Sequence, residues 1–228
     1  MKKIEQNRRR EFLSTVAAGA VTIGMMSIST GVQAFQGLQK EPAIDLEEWF
    51  KSLKGKHKVV FDVTHPNGVV PFAWPRVFLV TNEMTGTPTN ESNVVVVLRH
   101  DAIPYALDDK LWSKYKFGEF FKADDPLTKK PAIRNPFMNP KPGDFSLPGV
   151  GPVQIGINEL QASGVKFCVC EMAMTVYSGV MGAQLNKDAK ELRKEWMEGL
   201  LSGIQPVPSG VWALGRAQEN GCAYIFAG

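Results

Sequence analysis

Residues 94–98 read VVVVL, five apolar residues in a row. Short β-branched or aromatic runs also occur at Val59–Val63, Val165–Cys170 and Ala223–Phe226. Runs that stay apolar, instead of alternating with polar residues, are typical of strands buried on both faces of a parallel sheet. A weaker fifth candidate, Ile204–Pro208, contains two prolines, which favour a short or edge strand.

Helical patterns separate these runs. Phe72–Met84 is predicted to be one helix, in which Pro75 fits only in the first turn. Val153, Ile157 and Leu160 share one face of another. Further helices are predicted to start near Glu171, after an N-cap at Asn186 and after an N-cap at Ser209. Strands that alternate with helices indicate βαβ units, so the sequence predicts an α/β three-layer sandwich with a mainly parallel sheet of about five strands.

The first 34 residues predict an export signal. Arg9-Arg10-Glu11-Phe12-Leu13 precedes a weakly apolar stretch, and Val32-Gln33-Ala34 ends it with small residues, as in a twin-arginine signal peptide. The stretch is too short, and too rich in Gly, Ser and Thr, for a stable membrane span. Cleavage after Ala34 would leave one domain, residues 35–228, in the periplasm. An uncleaved N-terminal anchor is the alternative.

The charge balance argues against nucleic acid as a partner. The whole chain has 26 basic and 23 acidic side chains, and the predicted signal holds five and two of them, which leaves 21 of each. The mature chain is therefore formally neutral, and its sequence has no basic stripe of the kind that binds nucleic acid.

One long segment interrupts the alternation of strands and helices. Lys110–Pro148, here called the insertion, has six prolines and no strong period. Connections of this length are uncommon in compact domains. Its seven aromatic residues argue against disorder. We therefore expect the insertion to be packed, either over the carboxyl edge of the sheet or against another subunit.

Cys168 and Cys170 end the third apolar run, one residue apart. In a strand they would point to the same face, with Cys170 at the junction with the next helix. A thiolate at a helix N-terminus is stabilised by unpaired backbone N–H groups, although the like charge of Glu171 opposes this effect. Both cysteines could instead be small core hydrophobes. The sequence lacks the Cys-x-x-Cys spacing, so we predict no structural zinc, thioredoxin-type pair or attached haem.

His100 ends the second apolar run, between Arg99 and Asp101. In a parallel sheet the carboxyl ends of the strands line the site, so this histidine could act as an acid or base, or bind a sulfur or oxyanion. The alternative is an edge histidine held by Asp101. No Gly-rich phosphate loop follows the first strand, and no nucleotide cofactor is predicted.

Three stretches carry a family resemblance: VVVVLRHDAIPYAL (94–107), LQASGVKFCVCEMAM (160–174) and IQPVPSGVWALGRAQENGCAYIF (204–226). Together they resemble the DsrE/DsrF-like family over roughly Lys56–Phe226, outside the insertion. The resemblance implies a flavodoxin-like three-layer fold and an oligomer, commonly a trimer or hexamer. Several members are sulfur carriers, in which a cysteine at the end of the matching strand accepts a persulfide. Cys170 falls on that position, and His100 matches a histidine that follows the second strand.

These observations lead to one main functional hypothesis and two alternatives. The main one is an exported DsrE-like protein that binds or relays sulfane sulfur as a sulfur carrier or sulfurtransferase. Cys170 is its acceptor, His100 its neighbouring hydrogen-bond partner or proton carrier, and its partners are a sulfur-donor or acceptor protein. The site residues imply no cofactor and no metal. The alternatives are a non-catalytic binding or assembly subunit, and a redox protein exported with its cofactor already inserted.

Overall fold

Five parallel strands form the central sheet in the computed structural model, which describes residues 45–228. They are β1 (His57–Val63), β2 (Ser92–Leu98), β5 (Lys166–Cys170), β6 (Ile204–Val207) and β7 (Ala223–Phe226). Their spatial order is β6-β5-β2-β1-β7, and each neighbouring pair is parallel. The strands match the five predicted runs to within two residues at each end, and the predicted α/β fold class is confirmed. The predicted signal peptide lies outside the described residues.

Helices cover both faces of this sheet. They are α1 (Leu46–Lys51), α2 (Val70–Met84), α3 (Asp109–Tyr115), α4 (Phe117–Phe120), α5 (Ile157–Ala162), α6 (Glu171–Leu185), α7 (Ala189–Glu198) and α8 (Gly210–Glu219). Helices α1 and α8 lie on one face, and α2, α5, α6 and α7 lie on the other. Two 3-10 turns, Thr89–Glu91 and His100–Ala106, precede and follow β2. The result is a three-layer sandwich consistent with a flavodoxin-like fold.

The run at residues 94–98 is apolar throughout because its side chains enter two cores. Val94, Val96 and Leu98 pack with α2, α6 and the insertion, whereas Val95 and Val97 pack with α1 and α8. All five are buried. Complete burial of one such side chain stabilises the fold by about 1.5–3 kcal/mol, so a charged residue at any of these positions would disrupt the sheet.

Asn186 does not begin a helix, as the sequence predicted, but ends one. It lies after α6 in the left-handed conformation, with φ of 53°. The N-cap of α7 is Asp188, whose carboxylate accepts hydrogen bonds from the backbone N–H groups of Lys190 and Glu191. Asparagine suits both ends of a helix because it tolerates the left-handed region and its side chain can also cap. Ser209 is the N-cap of α8, as predicted, and its hydroxyl accepts from the N–H of Trp212.

Pro75 lies in the sixth position of α2, not in the first turn. The helix begins at Val70, two residues before the predicted start, and Pro71 occupies the first turn instead. Pro75 therefore removes one internal hydrogen bond, to the carbonyl of Pro71, without ending the helix. Helix α5 begins later than predicted, at Ile157.

The insertion packs against the core of its own chain. Six of its seven aromatic side chains are buried: Trp112, Tyr115, Phe117, Phe121, Phe137 and Phe145. The Trp112 indole donates to the carbonyl of Pro104, at 2.8 Å. The buried amide of Asn135 donates to the carbonyls of Tyr105 and Leu107, both at 2.9 Å. These bonds tie an irregular segment to the chain that follows β2. Its last residues include β3 (Ser146–Leu147), which pairs with β4 (Gly151–Pro152) in a short antiparallel ladder.

The described helices also bear on membrane association. Within residues 45–228, each helix is too short or too polar to cross a membrane.

Candidate functional site

Cys170 lies where β5 ends and α6 begins. Its backbone is extended, and it serves as the N-cap of a 15-residue helix. The thiol sulfur accepts a hydrogen bond from the backbone N–H of Ala173, at 3.3 Å. The first N–H groups of an α-helix lack partners within the helix, and they carry the positive end of its dipole. The position therefore favours negative charge on the sulfur, and only 7% of the residue is exposed.

The junction of β5 with α6 lies where the connections that follow neighbouring strands change from one face of the sheet to the other. Helix α6 leaves β5 towards one face of the sheet, whereas α8 leaves the neighbouring β6 towards the other. Cys170 pairs with Val207, the last residue of β6. In open α/β sheets, ligands bind outside the carboxyl ends of two strands whose connections diverge in this way. Cys170 thus lies at the edge position where this class of fold builds its sites.

The other two cysteines have different surroundings. Cys168 is fully buried among residues of α8 and β2, and burial, with a smaller effect from the charge of Cys170, raises the pKa of its thiol. Cys222 precedes β7 at the opposite edge of the sheet, is 6% exposed, and has a pKa raised by burial. All three cysteines are free thiols.

The prediction that Cys168 and Cys170 share one face is wrong in terms of packing. Cys168 belongs to the core beneath α1 and α8, and Cys170 to the core beneath α2 and α6. The chain leaves the strand at Cys170 to start α6, so the alternation of side chains stops there.

His100 is in the left-handed region, with φ of 51°. Its imidazole side chain is 63% exposed. The ring Nδ1 lies 2.8 Å from the Tyr177 hydroxyl, which also donates to Asp101. A tyrosine has one proton to donate, so the Nδ1–H of His100 is the donor of the pair. The structure thus links His100 to α6 through Tyr177, and its ring makes no hydrogen bond to Cys170.

Tyr177 also connects this group to the insertion. The rings of Phe120 and Phe121 lie with their centroids 6.2 and 5.0 Å from that of Tyr177. Burial and the adjacent carboxylate of Asp101 both raise the pKa of Tyr177, which therefore keeps its proton at neutral pH.

Arg99, between the end of β2 and His100, forms a two-pronged ion pair at this edge. Its Nε and Nη2 donate to the two carboxylate oxygens of Asp62, at 2.7 and 2.9 Å. The hydroxyl of Tyr224, in β7, donates to the same carboxylate at 2.8 Å. Asp62 is 1% exposed, so these three bonds compensate a charge that is otherwise costly to bury.

Glu171, the like charge next to Cys170, has its own partner. Arg193 of α7 donates to its carboxylate at 2.5 Å and to the hydroxyl of Thr175 at 3.1 Å. Burial raises the pKa of Glu171, and the guanidinium partly offsets that effect. The repulsion that Glu171 was expected to exert on Cys170 is therefore reduced by Arg193.

One cavity of the described residues lies away from the cysteines. A space of about 440 Å³ opens between α2, α5 and the insertion, lined by Arg76, Phe145 and Glu159 among others. Arg76 donates there to the carbonyl of Gln154 and the hydroxyl of Ser163, which ties α2 to α5. None of the cysteines lines this cavity. Within residues 45–228, no three His, Cys, Asp or Glu side chains lie together as a metal site requires.

Sequence reasoning singled out Cys170 and His100 but did not predict the bonds that join Asp62, Arg99 and Tyr224. A signal was present, because Asp62 is the one charged residue in an otherwise apolar stretch of β1 and a buried carboxylate needs a partner. The partner could not be chosen from sequence, since Arg99 is 37 residues away and Tyr224 is 162 residues away.

Comparison with known proteins gives distant structural similarity alone. No protein-family profile and no curated protein matches the chain. A solved structure of a protein of unknown function from Methanobacterium thermoautotrophicum is similar, with 19% sequence identity and a TM-score of 0.39. The alignment covers 75% of this chain and 99% of that one. The resemblance to the DsrE/DsrF-like family stays a prediction.

Proposed function

We propose that this protein binds or relays sulfane sulfur through a persulfide on Cys170, as an exported DsrE-like protein of the periplasm. One observation carries the proposal: the Cys170 sulfur accepts a helix N-terminal N–H group at the carboxyl edge of a parallel sheet. The sulfur faces unpaired N–H groups and the positive end of the α6 dipole, and a thiolate is the form of cysteine that attacks a sulfur–sulfur bond.

The transfer step balances without an oxidant. The Cys170 thiolate attacks the outer sulfur of a donor persulfide, R–S–SH, and a new sulfur–sulfur bond forms on Cys170. The sulfur–sulfur bond of the donor breaks, and its electron pair leaves with the donor thiolate, R–S⁻. A thiolate of an acceptor protein later removes the outer sulfur by the same exchange. One thiolate and one persulfide are present before and after each step, so the transfer requires no redox cofactor.

His100 is assigned the role of proton carrier in this proposal. Its ring is exposed at the same edge, and the bond to Tyr177 fixes the proton on Nδ1. The Nε2 nitrogen is then the one that exchanges protons with a donor or acceptor thiol.

The test is sulfur loading of the purified mature protein. The protein, freed of reductant, is treated with inorganic polysulfide, and its intact mass and the thiocyanate released by cyanide are measured. Wild type should gain one sulfur per chain, and Cys170→Ala should gain none. Cys222→Ala is the matched control, because Cys222 is as buried as Cys170 but lies at the opposite edge, and it should load like wild type. A wild-type protein that gains no sulfur, or a Cys170→Ala protein that does, refutes the proposal.

The second candidate function is a binding or assembly subunit without sulfur chemistry. Two observations favour it: the low exposure of Cys170, and an exposed apolar stripe on α2 formed by Trp74, Val77, Val80 and Met84. Absence of a sulfur adduct together with an assembled state in light scattering would support this function. The oligomer itself, a trimer or hexamer, is part of both proposals, and a monomer mass in that measurement would contradict it.

A further inference from the structure

Arg99 and Cys170 are neighbours in the register of the sheet. Leu98 of β2 is the partner of Val169 in β5, and Arg99 and Cys170 are the next residues in each chain. Adjacent strands lie about 4.8 Å apart, so the backbones of the two residues run side by side at the carboxyl edge. Both residues are therefore placed on the same edge by the parallel pairing alone.

The Arg99 side chain is held in place by Asp62 and by the first residue of α8. Asp62 binds both Nε and Nη2, and Tyr224 supports that carboxylate from the far side of β1. The aliphatic stem lies against Gly210, the first residue of α8, where an added Cβ atom would stand only 2.6 Å from the Arg99 Cβ. Glycine is required at that position because any side chain would displace the arginine. Such fixation gives the guanidinium one defined position relative to Cys170.

The surrounding charges leave Arg99 as the relevant cation for Cys170. Glu171 and Arg193 neutralise each other on the α6 side. Asp62 lies on β1, beyond β2 as seen from β5, so by strand position Arg99 is the nearer of the two charged residues to Cys170. The hydrogen bonds to Asp62 raise the pKa of Arg99 and burial lowers it, while Cys170 raises it by the smallest of these effects.

We propose that Arg99 is a positioning residue for sulfur transfer, held by Asp62 and Tyr224 so that its charge stabilises the thiolate and persulfide anion of Cys170. The inference rests on the proposed function of Cys170 and adds a second, electrostatic requirement to it. The buried carboxylate of Asp62 has the opposite effect on the thiolate because its charge is negative, and a smaller effect because its strand lies one further from β5.

A charge cycle, meaning a set of variants that change the charges at positions 62 and 99, tests this proposal. The quantity measured is the rate at which neutral iodoacetamide alkylates Cys170 in the native protein. Peptide mass spectrometry follows this rate over a range of pH. Arg99→Met should slow alkylation at neutral pH roughly tenfold, and its pH profile should move to higher pH. Arg99→Lys should recover part of the rate. Asp62→Asn keeps a side-chain oxygen that accepts from Arg99 but removes the negative charge, so it should react at least as fast as wild type. The double variant should fall between the two single variants.

Cys222 provides the internal control, since its alkylation in the same samples reports opening of the fold. The double variant replaces the ion pair by neutral groups of similar size and keeps the test valid if Arg99→Met alone does not fold. Equal slowing by Arg99→Met and Asp62→Asn, or no change in Arg99→Met, would overturn the proposal.

Sulfur loading separates this outcome from the proposed function. If wild type accepts no sulfur from polysulfide but the alkylation of Cys170 follows the charge cycle, the proposed sulfur function is refuted and the electrostatic coupling of Arg99 to Cys170 stands. If Arg99→Met loads sulfur and is alkylated at the wild-type rate, the proposed sulfur function stands and the role of Arg99 is refuted.

Discussion

Two carboxylates in this protein have the same set of partners in opposite surroundings. Asp62 and Glu195 each bind one cationic side chain and one tyrosine hydroxyl. For Asp62 the partners are Arg99 and Tyr224, on the two strands that flank β1, and the carboxylate is 1% exposed. The cluster joins three strands at the edge of the sheet that carries Cys170.

Glu195 lies on the outside of the molecule. Lys114 donates to it at 2.5 Å and Tyr115 at 2.6 Å, both from α3 in the insertion, and 36% of the carboxylate side chain is exposed. This cluster joins the insertion to α7. Water competes for each of its bonds, and dissolved salt screens its charges.

Burial, and not the number of hydrogen bonds, decides how much each cluster contributes to the stability of the fold. Removal of one partner from a buried pair leaves a charge that the protein cannot solvate, which is far more costly than loss of an exposed pair. The Asp62 cluster should therefore be required for the fold at the candidate site, whereas the Glu195 cluster should only adjust the attachment of the insertion.

The largest effect is expected for Asp62→Asn. It leaves the Arg99 guanidinium without its counter-charge and should lower the free energy of unfolding by about 3 kcal/mol, the lower end for a broken buried pair because Arg99 keeps contact with water. Urea denaturation followed by circular dichroism measures this loss. The double variant Asp62→Asn/Arg99→Met removes both charges and should recover part of it. A loss no larger than that of Glu195→Gln would show that burial does not separate the two clusters.

A smaller effect is expected for Tyr224→Phe. The change removes one of the three hydrogen bonds to Asp62 and leaves the Arg99 pair intact. The loss should be about 0.5–1 kcal/mol, the usual value of one net hydrogen bond. The same denaturation experiment measures it. Since the Tyr224 ring is partly exposed and packing changes little, a loss as large as that of Asp62→Asn would mean that the hydroxyl, and not the arginine, carries the cluster.

The sequence predicts the strands that carry the Asp62 cluster better than it predicts the side-chain contacts within the cluster. The runs Val94–Leu98 and Val165–Cys170 are apolar throughout because both faces of the sheet are covered, and that local signal located the strand ends and Cys170. The contact of Asp62 with Tyr224 depends instead on the last strand returning beside the first, which is a property of the strand order. Side-chain pairs such as His100 with Tyr177 are likewise set by packing between distant elements.

The smallest effect is expected for Glu195→Gln, and its dependence on pH gives it a signature of its own. Burial works against the charge of Glu195, but the hydrogen bonds from Lys114 and Tyr115 outweigh it and hold the pKa of this carboxyl below its ordinary value of 4.5. The folded state therefore binds fewer protons than the unfolded state between the two pKa values, and stability rises with pH across that window.

The contribution of Glu195 should be complete above pH 4.5 and should be lost as the pH falls through its folded pKa. Wild type should thus unfold at a slightly higher urea concentration than Glu195→Gln at neutral pH, and the two curves should converge in acid. The exposed pair of Lys51 with Glu48 provides a control, since Glu48→Gln removes a surface pair that does not hold the insertion. Equal losses in the two variants would mean that the Glu195 cluster is one more surface pair, and that the buried aromatic residues alone attach the insertion to the core.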